Sequence, residues 1–455
     1  MNFLLPLTLS WILGSVFLFL DGRRRWVAVS AAGGLLAVLI LDLRLLLMLP
    51  LEGEVFFEVT TGNWPVGIGI RLRVDRLALF FGAICGGILA AVMVHEAYGT
   101  RGTRLFPALI LLLSTGLHGA FFTGDLFNFY VFFELAVVTS FALAAYGYGR
   151  AEIRGTFIYA IVNLLGSVLF LMGVAAVYQS TGTLDLIQLN EKIDAGETKT
   201  LILAATLLFV GLSVKLGLFP FHSWVPVLYS HARPAVASAM TGALVNIGAY
   251  GLLRIGFSAF DQAREQASVF LIALGAIASV YGAVLAFRRR QPAKIIAYSA
   301  VMHAGYIVLC FGIGSASGVS ALLLIVLAGS IDKAAMFLSL DAAGPARRLS
   351  SLIAASSIAG LPLTAGFFAK VQLFRAALEA PGRIAVILAL IFSTAVILVA
   401  VFRFWQLIRD ADSPPQARGA MALTLAIAIV LLGLVPAPIV NLTWNITAEL
   451  LKGAK

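Results

Sequence analysis

Glu134 stands among apolar and aromatic residues in GDLFNFYVFFELAVVTSFALAAYG (124 to 147), a stretch long enough to span a bilayer and free of other charge past its first turn. A charge at mid-membrane depth costs roughly 2.5 to 3.5 kcal/mol on insertion scales, so it faces a cavity or a partner and marks an ion or proton path. Lysine repeats the anomaly: Lys215 lies in LILAATLLFVGLSVKLGLFPF, Lys333 in ALLLIVLAGSIDKAAMFLSL and Lys370 in IAGLPLTAGFFAKVQLF. A desolvated lysine releases its proton more readily, and a carboxylate nearby holds it back, so lysine in this setting becomes a proton carrier. Glu134 with Lys215 would form a two-state pair. A purely structural pairing is the competing account, strongest for Lys333, whose neighbour Asp332 offers a local charge pair near a helix end.

Histidine can also carry protons near neutral pH. His222 and His231 flank one end of the KLGLFPFHSWVP segment and are candidates to feed the relay, against the alternative of ordinary interfacial polar residues. His303, in AYSAVMHAGYIVL, is deeper and the preferred extra candidate; His95 and His118 lie toward span ends and read as ordinary polar residues. Asp125 opens its span and reads as a helix cap.

These groups need a membrane-embedded scaffold, and the composition supplies one. With 61% hydrophobic and 12% charged residues over 455 positions, the chain has too little polar surface for a water-soluble globule. Runs of about 20 apolar residues, the length that crosses a core of roughly 30 Å, recur throughout. Fourteen spans are expected, near 3–20, 27–48, 76–95, 105–122, 126–147, 155–178, 200–221, 236–257, 268–287, 293–313, 318–340, 350–378, 383–406 and 419–440. The fold class is an all-α polytopic membrane protein, residues 1–455 forming one transmembrane domain in the lipid bilayer.

The net charge of +10 is spread over loops instead of one amphipathic face, which excludes a nucleic-acid partner. DGRRRW, Arg101 with Arg104, Arg150 with Arg154, FRRRQPAK, Arg347 with Arg348, and Arg403 through Arg418 fall in alternate loops, the positive-inside bias. That bias places these loops in the cytoplasm and both termini outside. The first apolar run lacks a cationic n-region and cleavage site and reads as a retained helix. Cys85 and Cys310 lie within spans and read as small buried hydrophobes. No phosphate-cradling glycine loop, Cys/His cluster or haem or iron–sulfur ligand set is evident, so no cofactor and no metal site are expected.

Two spans, KLGLFPFHSWVP (215–226) and AGLPLTAGFFAK (359–370), combine glycine, proline and lysine. Proline removes a backbone donor, which a cavity-lining helix can exploit. They are the seventh and twelfth spans. If spans 4 to 8 (105–257) and 9 to 13 (268–406) form two five-helix units, the broken helix is the fourth member of each. Odd length makes the second unit start from the opposite side, giving an inverted repeat.

GDLFNFYVFFE, SVKLGLFPFHSWVPVLYSHARPAVASAM, KIIAYSAVMHAGYIVL, DKAAMFLSL and GLPLTAGFFAK resemble successive signatures of the antiporter-like subunits of respiratory complex I, membrane-bound hydrogenases and Mrp-type cation/proton antiporters. GNWPVGIGIRLRVDRLALF and TGDLFNFYVFFEL are most similar to the D-type subunits of the Mrp group. The resemblance implies the fourteen-helix fold with two inverted repeats, a gating Glu134–Lys215 pair, and Lys333 and Lys370 as further relay members. Where relatives carry a lysine or histidine in helix 8, this chain has Asn246, which can bind water but cannot hold a proton. The implied function is a proton-translocating subunit of a multisubunit Na+(K+)/H+ antiporter, with other membrane subunits as partners, in the bacterial cell (inner) membrane. The alternative is a non-catalytic proton-pumping subunit of a complex I-like or hydrogenase redox complex.

Overall fold

The computed structural model describes residues 2–50, 56–65, 69–99, 103–146, 149–193, 198–409 and 419–453. Arg101, parts of the outer acidic segments (51–55 and 194–197) and most of the basic-flanked loop before the last span (410–418) lie outside the described residues.

Helices α1 (Leu5–Phe17) and α2 (Arg25–Met48) lead into an antiparallel hairpin of β1 (Phe56–Thr60) and β2 (Arg71–Asp75), paired from Phe56 with Asp75 to Thr60 with Arg71. Then come α3 (Arg76–Ala97), α4 (Phe106–Phe121), α5 (Leu126–Ala144), α6 (Arg150–Thr181), the short α7 (Leu186–Ile193), α8 (Thr198–Leu216) and α9 (Trp224–His231). A π turn over Met240–Leu244 separates α10 (Pro234–Ala239) from α11 (Asn246–Ser258). The remainder is α12 (Asp261–Gln266), α13 (Ser268–Arg288), α14 (Pro292–Ile313), α15 (Ala316–Leu340), α16 (Gly344–Ala359), α17 (Ala365–Ala377), α18 (Arg383–Arg409), α19 (Ala420–Leu434) and α20 (Ala437–Gly453).

Among the described residues, 10 helical stretches are long and apolar enough to cross a membrane. With the shorter apolar α1 and α4, the interrupted α16/α17 and α19, every one of the expected spans has its helix. The last one ends earlier than expected, at Leu434 instead of near 440. Pro436 cannot continue the helix, and α20 leaves at 79° to α19. The polar residues of α20 had hidden it as a helix. It packs on α15, where Thr443 and Ser320 exchange a 2.9 Å hydrogen bond, and Glu449 pairs with Arg76.

The centre of the bundle is made by helices that are apolar all round. The α10–α11 span, α14 and α15 have 94% of their apolar windows buried, against 33% for α2 and α18 at the rim. Small residues let the central helices approach: a Cβ at Gly305 of α14 would lie 2.5 Å from the backbone nitrogen of Ser279 in α13.

The hairpin gathers the ends of α4 and α11 and the starts of α3 and α5 on one face. Arg73 donates its amide to Phe122 O (2.8 Å), Tyr250 donates its hydroxyl to Phe121 O (2.6 Å), and Arg254 grips Asp75 with two nitrogens at 2.6 and 2.7 Å. Asp75 also caps α3 by accepting from the Ala78 amide. Burial would raise the pKa of this carboxyl, but the Arg254 guanidinium and these hydrogen bonds outweigh it and hold the group below its usual range. Asp125 caps α5 in the same way, accepting from Asn128 N at 2.7 Å.

Both expected helix breaks are present. After Lys215 and Leu216, Gly217 takes φ +69° and Pro220 withholds a donor; the carbonyl of Val214 accepts from Trp224 Nε1 at 2.9 Å. In the second break Gly360 has φ +78° and Leu363, unusually for a branched residue, φ +68°. Here the Gly366 amide donates to Ser357 Oγ at 3.0 Å. Side chains thus replace the helical partners each break removes, as a membrane interior requires.

Candidate functional site: a row of charges through the bundle

Lys215, at the last turn of α8, is buried and makes two hydrogen bonds, with no ion pair among the described residues. Its Nζ donates to Asn163 O (3.1 Å) and Ser167 Oγ (2.9 Å) of α6 and lies 4.5 Å from the centre of the Phe133 ring. Glu134 acts on it electrostatically across a gap. A nitrogen held by a carbonyl and a hydroxyl can switch towards the carboxylate at low cost, because each partner is a single hydrogen bond worth about 0.5 to 1.5 kcal/mol net.

Glu134 differs from its expectation in one respect: it is half-buried. It falls on the stripe of α5 that also exposes Phe127, Val131 and Val138, at helical spacing along the outside of the bundle. Its Oε1 is nevertheless buried without a hydrogen-bond partner among the described residues, and its charge acts on Tyr130 and Tyr159.

From Lys215 the row continues through the π turn. Leu216, Thr241, Asn246, His303, Ser330 and Lys333 share a cavity of about 20 Å³, room for a single water. Asn246 donates to Gly242 O (2.8 Å), inside the turn, and to Ser330 Oγ (2.9 Å) of α15, so it fastens the two halves of the chain together at the middle. π turns of this kind concentrate at functional sites.

His303 of α14 and Lys333 of α15 meet at that cavity, Nδ1 to Nζ at 3.2 Å. With Lys333 charged, the ammonium only donates, so Nδ1 accepts and the histidine proton sits on Nε2. Gly329 makes the meeting possible, because a Cβ there would lie 2.8 Å from both nitrogens. Lys370 of α17 reaches back to Ala359 O at 2.8 Å, the negative end of α16 at the second break. Lys215 precedes its break and Lys370 follows its own, yet both bring an ammonium to an interrupted helix.

Asp332 is the residue the sequence undervalued. It lies well inside α15, not near a helix end, and is 1% exposed, with Oδ1 unpartnered among the described residues. Its charge acts on both Lys333 and Lys370, so a local pairing with Lys333 is only half its role. An acid next to a lysine in a long apolar run was the available signal; the contribution of α17, 38 positions on, was not visible.

The remaining histidines separate. His222 is buried among the rings of Phe219, Tyr281 and Tyr298, the Tyr281 ring at 4.9 Å, and so ties the first broken helix to α13 and α14. His231 is exposed and bonds the Val227 carbonyl of its own helix at 2.8 Å, outside the buried row. Among the described residues, no group of three or more His, Cys, Asp or Glu side chains gathers as a metal site.

A polytopic bundle with two lysine-bearing broken helices and a buried row of acids, lysines and histidine defines an ion-translocating type of membrane subunit. The chain belongs to the NADH:quinone oxidoreductase/Mrp antiporter transmembrane family, which matches residues 123–398. It is 26% identical to a Staphylococcus aureus (strain MRSA252) protein named as antiporter subunit mnhD2, over 98% of this chain and 95% of that one. Its fold is similar to a chain of the Mrp complex from Dietzia sp. DQ12-45-1b (TM-score 0.88, 23% identity, covering 98% of this chain and 96% of that chain). It is likewise similar to a chain of respiratory complex I from Thermus thermophilus (TM-score 0.84, 22% identity, covering 99% and 100%). A chain of the archaeal membrane-bound sulfane sulfur reductase superposes with a TM-score of 0.87 at 24% identity, covering 99% and 97%.

Proposed function

We propose that the chain is the proton-translocating subunit of a multisubunit Na+(K+)/H+ antiporter. Likeness to subunit mnhD2 along nearly the whole of both chains supports the antiporter class. The mechanism rests on Glu134 acting on Lys215, whose neighbour Leu216 lines the Asn246 cavity together with His303 and Lys333, and on Asp332 acting on Lys333 and Lys370. Residues 105–257 and 268–406 are taken as its two inverted five-helix units, each with its broken fourth helix. A proton taken up at Glu134 removes the negative charge that acts on the Lys215 ammonium, and the change passes through a water at Asn246 to His303 and Lys333 and, electrostatically, to Asp332 and Lys370. Asparagine at 246 orients that water through its amide instead of holding the proton. No bond of a substrate is made or broken, so the protein works as a transport subunit and not an enzyme. The chain is assigned to the bacterial cell membrane with both termini outside, in keeping with its basic inner loops.

Everted vesicles carrying the whole complex test this. At matched expression, Glu134→Ala and Lys215→Ala are expected to lose proton flux driven by added sodium or potassium. Unchanged flux in both variants would sink the relay. The second reading, a subunit of a redox-driven complex, draws on the likeness in fold to complex I and the sulfane sulfur reductase. It predicts wild-type vesicles that answer a redox donor and ignore the cations.

A further inference from the structure

A second buried acid–base pair lies outside the row, among the helices that precede the first five-helix unit and its opening helix. Asp42 of α2 and His118 of α4 are both fully buried, with Oδ2 and Nε2 2.9 Å apart. His118 is thus not the ordinary polar residue that its place near a span end suggests, and Asp42 carries no signal of this contact in the sequence.

The hydrogen bonds assign the protons. His118 Nδ1 lies 2.8 Å from Ser114 O, and a carbonyl only accepts, so Nδ1 carries a hydrogen. The Nε2–Oδ2 contact then needs one further proton, on the imidazole or on the carboxyl. With it the pair is neutral overall. Without it a carboxylate faces the lone pair of a neutral imidazole, and one negative charge is left in the membrane interior. The contact seen is therefore the loaded form of a site that binds one proton.

Its surroundings are built for a change of charge. Asp42 Oδ1 is buried and unpartnered among the described residues. Helix α3 faces the carboxylate with Gly82 and Gly86, where a Cβ would lie 3.3 and 3.6 Å from Oδ2. Helix α1 carries no titratable residue, Arg44 of α2 is exposed on the opposite face, and Tyr250 and Arg254 of α11 are committed to Phe121 O and Asp75. What remains is Cys85 of α3, on which the Asp42 charge acts. The Cys85 thiol donates to Ala243 O at 3.4 Å in the π turn and accepts from Asn246 Nδ2 at 3.8 Å. On the other side, His118 lies in the last turn of α4, and Thr123, two residues past the end of that helix, lines a cavity of about 750 Å³ with Glu58, Arg71 and Arg73 of the hairpin.

We propose that Asp42 and His118 form a second proton-binding site that exchanges one proton with water in the hairpin-side cavity and conveys its charge through Cys85 and α3 to Asn246. Loading transfers a proton from a hydronium ion to the pair, leaving water; unloading returns it. The site stands independently of what drives the relay.

Infrared difference spectra of the purified complex in lipid, titrated across neutral pH, read the site without any transport. Acidification of wild type is expected to bring in either a carboxylic C=O band or imidazolium ring bands, a change that is lost in Asp42→Asn and returns in Asp42→Glu. Its midpoint should move by roughly one pH unit or more in His118→Gln, which removes the partner. Gly82→Ala, which crowds Oδ2 but spares both titrating groups, should also shift it, so a misfolded Asp42→Asn does not remove the test. Identical titrations in wild type, His118→Gln and Gly82→Ala overturn the proposal. For the coupling, the pH midpoint of cation-driven proton flux should shift in Gly82→Ala; a titrating band with an unmoved flux profile overturns transmission through α3.

Discussion

At the scale of single residues, the proposed relay draws on lysines held by weak, exchangeable partners. Lys215 rests on one carbonyl and one hydroxyl, Lys370 on one carbonyl, and Lys333 on an imidazole. A permanent buried ion pair would hold its proton and leave nothing to move. Asp332→Asn keeps shape but removes the charge shared by Lys333 and Lys370, and cation-driven flux should fall by about tenfold or more, the equivalent of roughly 1.4 kcal/mol. Equal flux in Asp332→Asn and wild type would return Asp332 to a structural role. Gly329→Ala should reduce flux with little change in thermal stability, since its Cβ would part His303 from Lys333 (2.8 Å to each nitrogen) while leaving both present.

At the scale of elements, the breaks are the means by which apolar helices come to hold charge. Gly360→Ala strains a backbone at φ +78° and drives a Cβ to 2.4 Å from Lys370 Cδ, so both flux and melting temperature should drop. The hairpin is a separate stabilising element. Removing Arg254 leaves Asp75 buried without its partner, and Arg254→Ala should destabilise by about 3 to 5 kcal/mol. Because the folded Asp75 carboxyl is held below its ordinary range, its contribution is present at neutral pH and is lost as pH falls through and below the ordinary carboxylate range. Thermal melts of wild type against Asp75→Asn from neutral to acid pH should therefore converge, whereas a constant gap would refute the linkage.

At the scale of the whole molecule, the face of α5 bearing Glu134 is unfinished. A half-buried carboxylate beside exposed Phe127, Val131 and Val138 suits a neighbouring membrane subunit better than lipid, because lipid offers the acid no partner. Cysteines placed at Val131 or Val138 should crosslink to another subunit in the intact complex, while cysteine at Leu388 of α18, exposed on the rim, serves as the comparison. Reaction with lipid-soluble reagent alone at both α5 positions would show that no subunit covers Glu134.

Much of this was legible in the chain itself. Hydropathy located a helix at each of the fourteen expected spans, since twenty apolar residues have few alternatives in a bilayer, and glycine with proline located both breaks. Uncompensated charge in apolar runs singled out Glu134, Lys215, Lys333 and Lys370. Tertiary structure alone decided which of them meet. His303 reaches Lys333 because α14 and α15 cross at Gly329, Asp332 serves Lys370 because α17 returns from the second break, and Asp42 finds His118 across 76 positions. The hairpin and α20 were hidden because their short polar segments carry no membrane-length signal. Local pattern reports the cost of burying a charge; only packing reports what compensates it.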